Sequence, residues 1–222
     1  MIRQFIKYIL SNIGYDLYMR GVGLNLMKHE FKEVYNVICY ENREGLWDNA
    51  IERLKDNSIV FLEFGVWEGY SINYFSKKLI GPDSSFYGFD SFEGLPEKWY
   101  TNPKGEFDLN GKMPVIKDER VTYHKGWFHD TLPEFLDHNL SLFQDSKLII
   151  HYDADLYSST LFCLTQVDKL KTPYLAIFDE FVRDETRALY DYKKSYGATI
   201  NILGYTKNSQ MLCEIVPYKS TK

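Results

Sequence analysis

Four short apolar segments of this chain each have a carboxylate as the last or the next-to-last residue, and this regularity restricts the fold more than any other feature. The segments are SIVFLEF (58–64), SSFYGFD (84–90), KLIIHYD (147–153) and PYLAIFD (173–179), and their acids are Glu63, Asp90, Asp153 and Asp179. Helical patterns separate the segments, as expected for right-handed strand–helix–strand units of an α/β fold. Because ligands bind at the carboxyl ends of strands in such sheets, the acids mark the expected functional edge.

Three further segments complete a predicted sheet of seven strands: RVTYHKG (120–126), ATINILG (198–204) and QMLCEIV (210–216). A short turn separates the last two segments, which indicates that they are antiparallel. We therefore predict a mostly parallel sheet with one antiparallel strand and with helices on both faces.

The chain divides by pattern into two parts. Residues 28–56 are charged and helical in pattern, so we predict a helical extension over 1–56 and one α/β domain over 57–222. Within that domain, residues 93–118 are rich in Gly, Pro, Asn and charge and are long for a plain connection. This composition favours a binding loop or lid.

Composition excludes several classes of protein. Hydrophobic residues make up 45% of the 222, enough for a large core, and the net charge of −5 argues against a nucleic-acid binder. The cysteines, Cys39, Cys163 and Cys213, have no zinc-ligand spacing and are odd in number. They indicate buried free thiols in a reducing compartment, and we expect a cytoplasmic protein.

The N-terminal segment is too short and too interrupted by charge to be a transmembrane span. Apolar residues recur there at helical spacing, namely Ile2, Phe5, Ile6, Ile9 and Leu10. Such a stripe is compatible with packing on the domain, with a homodimer through the N-terminal helices, or with binding to a membrane surface.

A glycine motif follows the first of the four acidic strands. Gly65 permits a sharp turn there, and Gly69 lets the next helix start close to a ligand. The spacing is Gly-x-x-x-Gly and differs from that of dinucleotide-binding enzymes, which argues against a nicotinamide or flavin cofactor. Asp90, at the end of the next strand, is placed to accept hydrogen bonds from ribose hydroxyls.

The carboxylates of Asp153, Asp179 and Glu180 follow two strands that we expect to be neighbours. Three converging carboxylates repel one another, and a hard divalent cation such as Mg²⁺ would relieve that repulsion. Asp155 is equally compatible with a helix cap or a salt bridge. His129 follows a predicted strand end and is either a site residue or a plain surface histidine.

Five motifs carry a resemblance to a known family: FLEFGVWEGYS, YGFDSFEGLPEKW, KGWFHDTLP, HYDADLYSST and IFDEF. In this order and spacing, over roughly 58–217, they resemble the macrocin O-methyltransferase family. The resemblance implies a Rossmann-like class I fold, S-adenosylmethionine (SAM) as cofactor, Mg²⁺, and methylation of a hydroxyl on a small sugar-like acceptor. Natural-product and capsule or lipopolysaccharide sugars are both compatible acceptors.

The resemblance also implies roles for individual residues. Asp153, Asp179 and Glu180 would bind the metal, and Asp153 would also be the general base. The implied cofactor-binding residues are Glu63, Gly65, Val66, Gly69, Ser71, Asp90, Ser91, Phe92, Gly126, Trp127, Phe128 and Asp153. The family usually has an Asp-Asp pair where this chain has Asp179-Glu180.

Two other functions remain open from the residues. The Asp-x-Asp of residues 153–155 also occurs in glycosyltransferases that bind a nucleotide sugar through a metal. The departure at Glu180 is compatible with a SAM-binding module that has lost catalysis.

Overall fold

The computed structural model describes residues 3–4, 14–55, 57–207 and 210–219. The helices are α1 (Tyr15–His29), α2 (Arg43–Leu54), α3 (Tyr70–Lys78), α4 (Phe128–His138), α5 (Tyr157–Val167) and α6 (Asp184–Tyr196). The strands are β1 (Ile38–Tyr40), β2 (Ile59–Phe64), β3 (Ser85–Asp90), β4 (Val121–Lys125), β5 (Lys147–Tyr152), β6 (Tyr174–Phe178), β7 (Thr199–Thr206) and β8 (Met211–Val216).

Within these ranges the strands form one sheet in the order β1-β7-β8-β6-β5-β2-β3-β4. Strand β8 is antiparallel to both of its neighbours, β6 and β7, and the other described pairs are parallel. The predicted mostly parallel sheet with one antiparallel strand is confirmed.

The predicted count of seven strands is wrong by one in the described part of the chain. The additional strand, β1, pairs with the outer side of β7 and lies in a segment that was expected to be helical throughout. Its three residues are too few to show the alternation that reveals a strand in a sequence. Helix α2 directly follows it, and the Asn42 side chain caps that helix by accepting a hydrogen bond from the Gly45 N–H at 2.9 Å.

Apolar side chains cover both faces of the sheet. On one face Phe64, Tyr152 and Phe178 pack beneath α4, α5 and α6, with the Tyr152 and Phe178 rings stacked at 4.8 Å. On the other face Trp47 of α2 and Phe75 of α3 cover the sheet. The expected three-layer arrangement is confirmed, and α2 forms part of the core on its face.

Residues 93–118, all described, contain no helix or strand apart from two isolated bridges, Glu93 to Asp108 and Trp99 to Asn102. The segment is thus irregular, and its role as a binding loop or lid stays a prediction. The side chains of Leu95 and Trp99 pack on Leu156, which anchors the loop beside the carboxyl end of β5.

The three cysteines are free, as expected; Cys163 and Cys213 are buried, whereas Cys39 is partly exposed. The N-terminal stripe of Ile2, Phe5, Ile6, Ile9 and Leu10 lies outside the described residues, so its alternatives stay predictions. Among the described helices, none combines the length and apolar character that crossing a bilayer requires.

Helix α1 approaches the segment after β6 closely at one glycine. A Cβ atom added at Gly23 would lie 2.2 Å from the carbonyl oxygen of Val182, whereas one added at Gly21 of the same helix would have no described atom within 4 Å. Helix α1 therefore rests directly on the backbone of residues 182–183, near the carboxyl end of β6.

This contact predicts opposite effects for two Gly→Ala substitutions in α1. Gly23→Ala should lower the free energy of unfolding by about 1–3 kcal/mol, because the helix must move away from Val182. Gly21→Ala should be neutral or stabilising by up to about 1 kcal/mol, because alanine favours helix. Urea unfolding of both variants measures the difference, and equal stabilities would contradict the close approach.

Candidate functional site

The register of three parallel strands brings the predicted acids together. Glu63 of β2 pairs with His151 of β5, which in turn pairs with Ile177 of β6. Side chains alternate along a strand, so Asp153 and Asp179, each two residues beyond a paired position, lie on the same face. Backbone bonds continue past the strand ends, from the Asp153 N–H to Phe64 (2.9 Å) and from the Asp179 N–H to Tyr152 (3.0 Å).

Asp153 and Asp179 meet as the sequence predicts, and a histidine joins them. One ring nitrogen of His151 and one carboxylate oxygen from each aspartate lie within 4.8 Å of one another. Asp179 is held in place by the buried side chain of Gln210, whose amide donates a hydrogen bond to its carboxylate. The group formed by His151, Asp153 and Asp179 is called the acid–histidine cluster below.

Glu180, the third predicted metal ligand, lies on the cavity wall, with its carboxylate 3.5 Å from the Arg183 guanidinium. Its backbone N–H donates to the buried carboxylate of Glu185 at 2.9 Å. Its role as a metal ligand stays a prediction.

Asp155 does not cap a helix. Helix α5 has Leu156 as its N-cap and no side-chain capping bond, whereas Asp155 has a φ of 58° and lines the cavity.

Several buried or partly buried carboxyl groups crowd together at this edge of the sheet. Burial, reinforced by the charge of Asp179, raises the pKa of Asp153 well above its ordinary value, and the same two causes raise the pKa of Asp155 to about 8. Burial also raises the pKa of Glu180. A bound cation would stabilise the ionised forms of these carboxylates.

The donor set fits a divalent cation. Two carboxylate oxygens and one imidazole nitrogen are all common ligands, and the His151 Nε2 is buried without a hydrogen-bond partner in the described structure. A buried polar atom without a partner is unfavourable, and a metal ion would satisfy it.

The glycine loop contacts the cluster directly. Gly65 has a φ of 91°, and a Cβ there would lie 1.9 Å from the backbone carbonyl oxygen of Asp153. No side chain can be accommodated at this position, so the backbone of the loop between β2 and α3 lies against the cluster.

Asp90 organises the same loop from the neighbouring strand. Its carboxylate accepts hydrogen bonds from the N–H groups of Val66 (2.8 Å), Trp67 (2.9 Å) and Phe92 (2.7 Å). The described structure thus gives Asp90 a backbone-binding role that the sequence did not predict. The predicted contact with a ribose stays a prediction, since two carboxylate oxygens can accept about four hydrogen bonds.

A cavity of about 780 Å³ opens over the loop and the cluster. Residues of the predicted site that line it are Gly65, Asp90, Ser91, Gly126, Trp127, Phe128, Asp153, Asp179 and Glu180. The other predicted residues do not line it and are buried behind its wall: Glu63, Val66, Gly69, Ser71 and Phe92. The 93–118 loop forms one side through residues 94–96, Trp99, Lys104 and Phe107.

Two exposed aromatic side chains at the cavity were not predicted. Trp67 is 47% exposed and Phe107 is 37% exposed, and their rings meet edge to face at 5.7 Å. Both residues have positive φ angles, which are uncommon for bulky residues. The sequence gives one indication of this aromatic surface, because Trp67 lies between the two glycines of the glycine motif.

Two charged or titratable side chains complete the cavity wall. Arg43, from helix α2, lies over the rings of Trp47 (5.2 Å) and Tyr70 (4.7 Å). His129 lines the cavity with a largely exposed ring, so it is a wall residue as well as a surface histidine.

The strand order and the ligand-sized cavity at the carboxyl edge define a class I methyltransferase fold. Two solved structures share it with a TM-score of 0.50 each. The O-methyltransferase NovP is 20% identical, with 74% of either chain covered. TomG, an O-methyltransferase of Streptomyces achromogenes involved in tomaymycin synthesis and solved with SAM, is 14% identical, with 96% of this chain and 95% of that chain covered.

The chain belongs to the macrocin O-methyltransferase (TylF) family, whose model matches residues 41–203. A curated relative from Streptomyces olivaceus is 8-demethyl-8-(2,3-dimethoxy-alpha-L-rhamnosyl)-tetracenomycin-C 4'-O-methyltransferase. It is 28% identical over 159 residues, which cover 61% of this chain. The match spans 58% of the length of that relative.

The hydrogen bonds to Asp90 predict a specific loss of stability. Asp90→Ala would leave three backbone N–H groups without their charged acceptor, so the free energy of unfolding should fall by at least about 2 kcal/mol. Asp83→Ala, an exposed carboxylate before the same strand, should change it by less than about 0.5 kcal/mol. Urea unfolding compares them, and equal effects would show that Asp90 does not hold the loop.

Proposed function

We propose that the protein is a SAM-dependent O-methyltransferase that methylates a hydroxyl of a sugar or a related small acceptor with the help of a divalent cation. The observation that carries the proposal is the shared cavity, which the glycine loop lines together with Asp153 and Asp179 of the acid–histidine cluster. Membership of the macrocin O-methyltransferase family supports the reaction type. Mg²⁺ is the cation that the sequence predicts.

The residues that line the cavity near the glycine loop would hold SAM. Gly65 allows the ligand to approach the backbone, Asp90 and Ser91 offer polar groups toward the ribose, and Trp127 and Phe128 offer apolar surface toward the adenine. SAM, when bound, supplies an electrophilic methyl group on a sulfonium centre. The loop's task is therefore alignment of donor and acceptor.

Asp153 and Asp179 would hold the cation beside the acceptor hydroxyl, with Glu180 as a further predicted ligand. The cation, when bound, supplies positive charge that lowers the pKa of a coordinated hydroxyl. Asp153, at the junction of loop and cluster, would take the hydroxyl proton as general base. Its contact through the backbone with Gly65 keeps this carboxylate beside the donor side of the cavity.

The aromatic pair of Trp67 and Phe107 supports a sugar-like acceptor. Exposed aromatic faces at a cavity offer apolar surface to the C–H groups of a sugar ring, while Lys104 and Arg43 offer hydrogen-bond donors to its oxygens. The curated relative is named as acting at the 4' position of a rhamnosyl compound.

The reaction is tested with purified protein, labelled SAM and a panel of deoxy-sugar and glycan acceptors. Asp153→Asn should lower kcat by about 10²-fold or more, because the general base is lost. Calorimetry with S-adenosylhomocysteine should show affinity within about threefold of the parent. Asp137→Asn, on the exposed face of α4, serves as the matched control and should leave both quantities unchanged.

Three results would contradict this part of the proposal. Undiminished turnover in Asp153→Asn would refute the assigned base. Binding of nucleotide sugars without binding of S-adenosylhomocysteine would favour the glycosyltransferase alternative, and binding of S-adenosylhomocysteine with no turnover on any acceptor would favour the non-catalytic one.

The cation dependence is tested by adding EDTA and then restoring Mg²⁺ in excess. Activity should fall by at least about tenfold in EDTA and should return with Mg²⁺, because without the cation the acceptor hydroxyl loses the positive charge that lowers its pKa. Unchanged activity in EDTA, after dialysis against the chelator, would remove the metal from the mechanism.

The acceptor surface is tested by truncating its aromatic residues. Trp67→Ala and Phe107→Ala should each raise the KM for the acceptor by about two- to tenfold, the range expected for a lost aromatic contact. Tyr218→Ala, exposed and outside the cavity, is the control. A KM for the acceptor that is unchanged in both cavity variants would contradict the sugar-binding surface.

A further inference from the structure

We infer that His151 is a ligand of the cation through its Nε2 atom, and that Glu63 is the positioning residue that presents it. The inference rests on the proposed function for the presence of a cation, and it extends the ligand set beyond the carboxylates that the sequence predicts. The resulting set of one nitrogen and two oxygens would bind Mn²⁺ more tightly than Mg²⁺.

The hydrogen bond between Glu63 and His151 determines which nitrogen is available. A carboxylate oxygen accepts hydrogen bonds, so the Nδ1 of His151, 2.8 Å from Glu63, is the ring nitrogen that donates to it. In the neutral ring this leaves a lone pair on Nε2, which has no hydrogen-bond partner among the described residues.

The ring has little freedom to turn away from the cluster. Glu63 and His151 are 0% and 1% exposed and are paired across neighbouring parallel strands. The indole of Trp47 meets the imidazole edge to face at 5.7 Å. Packing on the sheet therefore fixes the orientation that the carboxylate selects.

The position of His151 beside two carboxylates also indicates that it binds a metal ion. A ring nitrogen of His151 and the carboxylates of Asp153 and Asp179 already lie within 4.8 Å of one another. A carboxylate bonded to the far nitrogen of a histidine is the usual support for a metal-binding imidazole, since it fixes the ring and raises its basicity.

An imidazole ligand alters metal preference. Mg²⁺ favours oxygen ligands throughout, whereas Mn²⁺ also accepts imidazole nitrogen. If His151 binds the ion, the ratio of Mn²⁺ to Mg²⁺ affinity should be larger in the parent protein than in a variant that lacks the imidazole.

Electron spin-echo spectroscopy of the full chain loaded with one equivalent of Mn²⁺ tests the ligand directly. The parent should show modulation from a coordinated ¹⁴N nucleus, and protein made with ¹⁵N-labelled histidine should show the ¹⁵N pattern in its place. This comparison needs no substitution. The modulation should disappear in His151→Asn and persist in His129→Asn, the control at the cavity wall.

Metal titrations test the role of Glu63. Glu63→Gln keeps the size of the side chain and one acceptor oxygen, so the ¹⁴N modulation should persist while the Kd for Mn²⁺ rises by about 10- to 100-fold. His151→Asn should lower the Mn²⁺ to Mg²⁺ affinity ratio by at least about tenfold. Thermal unfolding of the metal-free variants shows whether each is folded.

Different results would overturn the role of His151, the role of Glu63 and the presence of a cation. Tight Mn²⁺ binding without nitrogen modulation would overturn His151 as a ligand and leave the carboxylate site in place. Absence of Mn²⁺ and Mg²⁺ binding, by calorimetry on the parent, would overturn both. An Mn²⁺ Kd in Glu63→Gln equal to that of the parent would overturn the positioning role of Glu63.

Discussion

The alignment of β2, β5 and β6 is the constraint on which the rest of the site depends. Because Glu63, His151 and Ile177 are paired across these strands, the acids that follow them reach one edge at the same height and on the same face. A shift of one residue in either pairing would turn Asp153 or Asp179 to the opposite face. The buried apolar side chains on both faces of the sheet hold the pairing in place.

One backbone contact joins the glycine loop to the acid–histidine cluster. Gly65 lies so close to the Asp153 carbonyl that no side chain fits between the loop after β2 and the chain that carries the cluster. Asp90 adds a second restraint from β3 by binding the N–H groups of the same loop. The loop and the cluster thus lie in direct backbone contact, which suits the proposed reaction, whose main requirement is alignment.

The sequence predicts the long buried strands, the antiparallel partner and the convergence of Asp153 with Asp179, because each of these follows from apolar runs and from the rule about strand ends. It does not reveal β1, which is only three residues long. It also does not reveal the ion pair between Arg183 and Glu180, because this contact depends on the conformation of a turn. The sequence does not indicate the role of His151, because its partners Glu63 and Asp179 come from neighbouring strands and are far from it along the chain.

Helix α2 gives the cavity a wall that the predicted 57–222 domain would lack. Its Arg43 reaches the cavity while Trp47, one turn later, lies in the core of the sheet. A substitution at Arg43 can thus alter what the cavity accepts without disturbing the residues proposed to hold the donor or the ion. Specificity in this architecture can diverge through the first turn of α2 while the proposed reaction centre stays as it is.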